Sequence, residues 1–133
     1  MDRDTRSHFG RVIDLVFDYL SDVVIIQNEI TSNRAILEIH AQFGDWAVRL
    51  KEIRADAGDS YAYYALRAGR VIIGFDNYAD LNAIKAKYGR DYRRHLEEQI
   101  PHKHSRDKQH VELTDPFTAR EFIWSLQQMI DVE

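Results

Sequence analysis

The sequence predicts an α+β fold in which an N-terminal and a C-terminal helix pack on one face of an antiparallel sheet of about five to six strands. Both ends of the chain carry apolar residues at helical spacing, whereas the middle alternates apolar and polar residues. Short turn sequences separate the alternating segments, as is typical of a meander. Because each helix has one apolar stripe to bury, we expect both helices to cover the same face of the sheet.

The first helix is predicted at about residues 4–20, with an apolar stripe formed by Phe9, Val12, Ile13, Val16 and Leu20. A short strand is then expected within residues 21–30, at the apolar run 23–26, and further strands in the ranges 37–43, 46–52, 61–66 and 70–76. Gly44 and Asp45 have the composition of a hairpin turn between the second and third strands. This part of the chain therefore predicts a run of strands that pair with their sequence neighbours.

Residues 78–98 are predicted to form two short helices or one bent helix, because a loosely helical apolar spacing is interrupted by Gly89. Pro101 ends this segment, and a last strand is expected at 108–113. Asp115 and Pro116 are predicted to be the N-cap and first residue of the closing helix. The inner face of that helix is expected to comprise Phe117, Phe122, Leu126, Met129 and Ile130.

Composition excludes several classes of site. A chain of 133 residues predicts one domain, residues 1–133, that can bury a core of its own. The sequence contains no cysteine, which excludes disulfides, thiolate metal sites and a cysteine nucleophile. No apolar run approaches the ~18 residues of a membrane helix, and the first residues lack the apolar stretch of a signal peptide. We therefore expect a cytoplasmic protein without a membrane segment.

Charge is distributed unevenly along the chain. The net charge is −4, yet residues 82–110 contain eight lysines and arginines against four acidic residues, together with four of the six histidines. A basic segment of this kind favours contact with the phosphates of a nucleic acid. A solvated charged surface is the alternative interpretation.

The sharpest local motif is Pro101-His102-Lys103-His104. In an extended chain, His102 and His104 would share a face. Two imidazoles can supply the base and the acid for phosphodiester cleavage, and a lysine beside them can offset charge on a transition-state phosphate. The same spacing suits a metal-binding pair, and a solvated histidine-rich loop is a third interpretation.

Glu52 interrupts the pattern of its strand. It continues the face of Trp46, Val48 and Leu50, where an apolar residue is expected. A carboxylate on a core face must be paired or neutralised, which makes Glu52 a candidate functional residue. The alternative is a frayed strand end that lets Glu52 reach solvent.

Polar residues at the next strands are further candidates. Asp76 and Asn77 follow the apolar strand and could be aimed at a ligand or form an Asx turn. Tyr61 and Tyr63 share one face of the tyrosine-rich strand, where they could stack on bases, position a phosphate or pack in the core. We expect Glu52, Asp76-Asn77 and the His-Lys-His segment to converge, since strands two spacings apart are separated by about 10 Å.

The order of these pieces resembles the TumE family of toxins from type II toxin–antitoxin systems. The resemblance covers about residues 37–130 and depends on the strand ending at Glu52, the tyrosine strand, Phe75-Asp76-Asn77, Pro101-His102-Lys103-His104 and the closing helix. One departure is clear. Tyr78-Ala79-Asp80 stands where the family has histidines, and residues 81–100 form a longer insert, within which His95 could substitute for a missing histidine.

The resemblance implies growth-inhibiting RNA cleavage restrained by a cognate antitoxin protein. The favoured hypothesis is an endoribonuclease that needs no metal or other cofactor, with His102 and His104 as acid and base. Lys103 would stabilise the phosphate, and Glu52 and Asp76 would orient the histidines. RNA would be bound by Asn77, Tyr63, Arg93 and Arg94.

Two alternatives remain open at the level of sequence. One is a metal-dependent nuclease or phosphoesterase that uses Asp76, His102 and His104 as ligands. The other is a non-catalytic module whose basic segment contacts a partner protein, and the chain could also form a homodimer.

Overall fold

The computed structural model describes residues 3–105, 107–108 and 110–132. The described chain has an N-terminal helix, five strands, a short helical region, two short strands and a C-terminal helix, which confirms the predicted α+β class. In chain order these are α1 (Arg3–Tyr19), β1 (Ser21–Ile30), β2 (Arg34–Phe43), β3 (Trp46–Ala55), β4 (Ser60–Arg67), β5 (Arg70–Asp76), α2 (Leu81–Tyr88), a 3₁₀ helix (Gly89–Arg94), β6 (His102–Ser105), β7 (His110–Leu113) and α3 (Ala119–Val132).

The strands form one antiparallel sheet in which each strand pairs with its sequence neighbours, in the order β1-β2-β3-β4-β5-β6-β7. The described residues therefore form a sheet of seven strands, slightly more than predicted. The additional strand is β6, in a segment where no strand was predicted. Contrary to that expectation a strand forms there, because the segment after Pro101 hydrogen-bonds along β5, with Asp76 opposite His102 and Gly74 opposite His104.

Helices α1 and α3 cover one face of the sheet, as predicted. The alternation of β2 and β3 places Leu37, Ile39 and Leu50 on this face, where each is at most 2 % exposed. Phe9 of α1 and Phe122 of α3 belong to the same buried cluster. Burial of two helical stripes on one apolar sheet face gives the domain its main core.

The closing helix begins later than predicted. Thr118 caps α3, because its Oγ1 accepts a hydrogen bond from the Glu121 N–H at 3.2 Å and Glu121 Oε1 accepts one from the Thr118 N–H at 3.2 Å. This reciprocal capping box replaces the predicted start at Asp115 and Pro116. Phe117 consequently precedes the helix and stacks on Phe75. The Ile130 side chain, predicted on the inner face, lies outside the described residues.

The insert at residues 81–100, called the basic insert below, folds as two short helical pieces, which is one of the two predicted arrangements. Asp80 caps α2 through Oδ1, which accepts a hydrogen bond from the Ala83 N–H at 2.9 Å. Gly89 ends α2 at φ 58°, a left-handed conformation that is unfavourable for residues with a Cβ, and the 3₁₀ helix follows. Among the described residues, no helix combines the length and apolarity needed to cross a membrane.

We expect Phe122→Ala to destabilise the protein far more than Trp124→Ala. Phe122 is fully buried between α3 and the sheet, whereas Trp124 on the same helix is 60 % exposed. Truncation of a buried phenylalanine leaves a cavity and typically costs about 3–5 kcal/mol, whereas an exposed substitution costs about 0.5 kcal/mol or less. Urea denaturation of both variants measures the difference, and equal losses would contradict the packing of α3 on the sheet.

Candidate functional site

Pairing of β5 with β6 assembles a cluster of three polar side chains. Asp76 lies opposite His102 in the ladder, and His104 is two residues further along the same strand. Because side chains alternate along a strand, Asp76, His102 and His104 all lie on the sheet face opposite α1 and α3. All three are buried, and His102 has no exposed surface.

The reactive atoms of these residues converge on one point. Asp76 Oδ1 lies 3.0 Å from His102 Nε2, and Asp76 Oδ2 lies 3.3 Å from His104 Nε2. The two Nε2 atoms are themselves 3.0 Å apart. A carboxylate and two imidazole nitrogens therefore form a compact triangle, which could hold a proton or a metal ion.

The other ring nitrogens distinguish the two histidines. His102 Nδ1 lies 2.6 Å from the carbonyl oxygen of Ile100, so it carries the hydrogen and donates it to that carbonyl. His104 Nδ1 is buried and has no hydrogen-bond partner among the described residues. The orientation of the His102 ring is thus fixed by a backbone carbonyl, whereas that of His104 depends on its contacts with Asp76 and His102.

The cluster favours an ionised carboxylate. Burial alone raises the pKa of Asp76, but hydrogen bonds from His102, His104 and Tyr64 outweigh burial and lower the pKa below its usual range. Burial alone lowers the pKa of His102, but its hydrogen bonds with Asp76 and the Ile100 carbonyl raise the pKa overall. The negative charge of the Asp76 carboxylate is therefore stabilised by its neighbours in the cluster.

Tyr64 on β4 supports Asp76 from the neighbouring strand. Its hydroxyl donates a hydrogen bond to Asp76 Oδ2, and burial together with this bond raises the pKa of the phenol, which keeps it a donor. The Tyr64 ring lies directly over Gly74, where a Cβ would be only 2.2 Å from two ring carbons. The absence of a side chain at Gly74 thus lets Tyr64 reach the carboxylate.

A cavity of about 250 Å³ lies beside the triangle, with Asp76 and His104 in its wall. Asp80 also lines the cavity, and its Oδ2 lies 4.0 Å from His104 Nε2. Lys108 lines the cavity as well, and its ammonium lies 4.8 Å from the centre of the Tyr64 ring. The volume is below the ~300 Å³ typical of pockets that enclose a small ligand, so it suits the reacting group of a larger substrate.

Glu52 does not join this cluster, and the expected convergence of Glu52 with Asp76 and the histidines is wrong. In the ladders Glu52 lies opposite Leu37 and Tyr61, which puts it on the face of α1 and α3. There Glu52 Oε1 lies 2.6 Å from His8 Nε2, and Oε2 accepts a hydrogen bond from the Tyr63 hydroxyl at 2.8 Å. Successive residues of a strand point to opposite faces of the sheet. Glu52 and Asp76 therefore lie on different faces, although only one strand separates β3 from β5.

Other residues expected at the site also lie elsewhere. Tyr63 stacks on Phe122 in the core, with ring centroids 5.6 Å apart. Lys103 alternates to the face opposite its two flanking histidines and lies over the Phe75 ring. Asn77 joins the end of β5 to the start of β4, because its Oδ1 accepts a hydrogen bond from the Tyr61 N–H.

The remaining candidates belong to the basic insert. Arg93 and Arg94 are exposed on the 3₁₀ helix and do not line the cavity beside the triangle. His95 stacks on Tyr88 and pairs with Glu98, so it does not take the place of a third histidine in the cluster.

Sequence reasoning missed Tyr64, Asp80 and Lys108. Asp80 precedes a helical apolar pattern and could have been identified as an N-cap. Tyr64 and Lys108 carry no comparable local pattern, because strand pairing and the β6–β7 turn bring them to the cavity.

Comparison of the chain with family models, curated proteins and solved structures found no match. The chemistry proposed for the cluster therefore depends on its own geometry.

We expect Gly74→Ala to destabilise the protein by about 1–3 kcal/mol, the usual cost of overpacking, because the new Cβ would clash with Tyr64. Gly10→Ala is the matched control. No atom of the described residues lies within 4 Å of a Cβ at that helical position, so the substitution should stabilise the protein by about 0.5–1 kcal/mol. Thermal denaturation measures both changes.

A double-mutant cycle tests the cause of the clash. In a Tyr64→Ala background the cost of Gly74→Ala should largely disappear, because the ring that opposes the new methyl group is gone. An unchanged cost in that background would mean that Gly74 is needed for another reason.

Proposed function

We propose that this protein is a cytoplasmic toxin of the TumE kind that cleaves RNA phosphodiester bonds at the cluster of Asp76, His102 and His104. The observation that carries the proposal is the convergence of one carboxylate and two imidazoles at the wall of a cavity. Each of these groups is suited to proton transfer or metal binding, and together they match the chemistry that phosphodiester cleavage requires. A cognate antitoxin would restrain this activity.

The cost of burying the cluster favours a catalytic role over a purely structural one. An ionised carboxylate and two imidazoles must give up their hydration, and apolar residues of similar size would often stabilise the same position as well or better. Buried groups with strongly shifted pKa values beside a cavity are enriched at functional sites. Asp76 meets both conditions.

Residues around the cavity suit an RNA substrate. Lys108 presents an ammonium group that can contact a phosphate, and Tyr78 lines the same cavity with an aromatic ring that is 37 % exposed. The neighbouring helices carry further exposed basic residues, including Arg93 and Arg94. We infer that these arginines contact the RNA backbone away from the cleaved bond.

The geometry separates the roles of the two histidines. A general acid or base must reach the proton that it transfers, yet His102 is fully buried and its Nε2 faces His104 rather than the cavity. His104 lines the cavity and is the histidine placed to contact substrate. The simple pairing of both histidines as acid and base is therefore disfavoured, and this observation supports the metal-dependent nuclease as the second candidate function.

We expect His104→Ala to reduce cleavage of RNA by about 10²–10⁴-fold, the usual loss when a proton-transfer group is removed, and to abolish growth inhibition. His110→Ala is the matched control, because His110 is an exposed histidine on β7 that pairs only with Glu112 among the described residues. Gel assays with the purified proteins measure cleavage. Full cleavage by a folded His104→Ala protein would overturn the proposed site, whereas the absence of cleavage by the wild-type protein would favour the non-catalytic binding module.

Charge reversal tests the RNA-binding surface. The double variant Arg93→Glu and Arg94→Glu should bind RNA more weakly and with a shallower salt dependence, because fewer counterions are released. Arg6→Glu and Arg11→Glu make the same change of charge at exposed positions of α1, which covers the opposite face of the sheet. Filter binding at several salt concentrations compares the two double variants, and equal losses would argue against a localised RNA surface.

A further inference from the structure

We propose that Asp76, His102 and His104 bind one divalent transition-metal ion of the Zn²⁺ class, with a fourth coordination position open to the cavity. Metal binding stands on the geometry alone. Its consequence for catalysis rests on the function proposed above.

The separations between the donor atoms match those of ligands around a small tetrahedral ion. Bonds of about 2.0–2.1 Å at tetrahedral angles place neighbouring ligand atoms roughly 3.3 Å apart. The three shortest separations among Asp76 Oδ1 or Oδ2 and the two Nε2 atoms are 3.0, 3.0 and 3.3 Å, and one ligand atom from each residue lies within 4.8 Å of the others. Because the two short contacts of Asp76 use different oxygens, a rotation of its carboxylate toward both imidazoles would complete the coordination.

The donors and acceptors of the triangle also require a proton or a metal cation between them. Since His102 Nδ1 donates its hydrogen to Ile100, Nε2 of the neutral ring carries a lone pair. That lone pair faces Asp76 Oδ1, another acceptor, at 3.0 Å. Either an additional proton or a metal ion must separate the two acceptors, and the second imidazole at the same point favours the ion.

The surroundings of the triangle resemble the outer shell of a metal site. Metal-bound histidines usually donate their other ring N–H to a carbonyl or carboxylate, as His102 does to Ile100. Tyr64 donates to Asp76 Oδ2 and so orients the carboxylate. Two nitrogens and one oxygen favour zinc, iron or manganese over magnesium or calcium, which prefer oxygen ligands.

An open fourth position would give the ion a catalytic role. A water bound there would be acidified, and Asp80, whose Oδ2 lies 4.0 Å from His104 Nε2, is placed to accept its proton. The water oxygen then bonds to phosphorus while the bond to the leaving oxygen breaks, and solvent protonates that oxygen. Lys108, which also lines the cavity, can stabilise the phosphate charge.

Titration of the chelator-treated, full-length protein with ZnCl₂ in a calorimeter tests the binding claim without RNA. We expect one equivalent of Zn²⁺ to bind and the melting temperature to rise, because an ion that binds only the folded state stabilises it. Co²⁺ in place of Zn²⁺ should give the visible absorption of a four-coordinate ion. No stoichiometric binding to the folded protein would overturn the proposal.

Variants show where the ion binds. His104→Ala and Asp76→Asn should each weaken Zn²⁺ binding by ~100-fold or more, whereas His110→Ala should not, although His110 and Glu112 form an exposed pair on β7. His104→Gln provides a second test if Asp76→Asn does not fold. Binding that is unaffected by both His104 variants would be adventitious and would overturn the site.

The same proteins separate this inference from the proposed function. Zn²⁺ binding at the triangle without RNA cleavage would overturn the ribonuclease proposal and leave the metal site standing. Cleavage that persists in chelator, with no measurable Zn²⁺ binding, would overturn the metal site and leave the ribonuclease proposal standing. Cleavage lost in chelator and restored by Zn²⁺ or Mn²⁺ would support both.

Discussion

The register between β5 and β6 is the constraint on which the candidate site depends. Asp76 lies opposite His102, and this pairing alone places His104 on the same face two residues along. A shift of one residue would turn both imidazoles toward α1 and α3 and bring Lys103 beside Asp76 instead. The site is thus a product of backbone hydrogen bonding between two rigid strands, which gives its side chains little freedom to separate.

The two faces of the sheet bury carboxylates in different ways. On the face covered by α1 and α3, each oxygen of Glu52 has one partner, His8 or Tyr63, so the carboxylate is fully satisfied. On the other face, the two oxygens of Asp76 lie against different imidazoles, and Nδ1 of His104 lacks a hydrogen-bond partner among the described residues. Polar groups that make all of their hydrogen bonds stabilise a core. A buried polar cluster beside a cavity that leaves a nitrogen without a partner is suited to binding a ligand or an ion.

Construction of the site also constrains residues outside the triangle of Asp76, His102 and His104. Gly74 must lack a side chain so that Tyr64 can cross the strand and donate to Asp76. Asp80 caps α2 with one oxygen and directs the other toward His104, which connects the basic insert to the cluster. Helix placement and site geometry are therefore coupled, since loss of the cap would disturb both.

Local sequence patterns determined the helices at both ends, most of the strands and the antiparallel class of the sheet. They also determined that His102 and His104 share a face. These features follow from periodicity and turn chemistry, which depend on neighbouring residues. The tertiary structure decided that residues 102–105 form a strand, that Thr118 rather than Asp115 caps α3, and that Glu52 lies apart from Asp76. It also brought Tyr64 and Lys108 to the cavity. Strand register and partner choice depend on non-local pairing, so composition and spacing cannot specify which polar side chains finally meet.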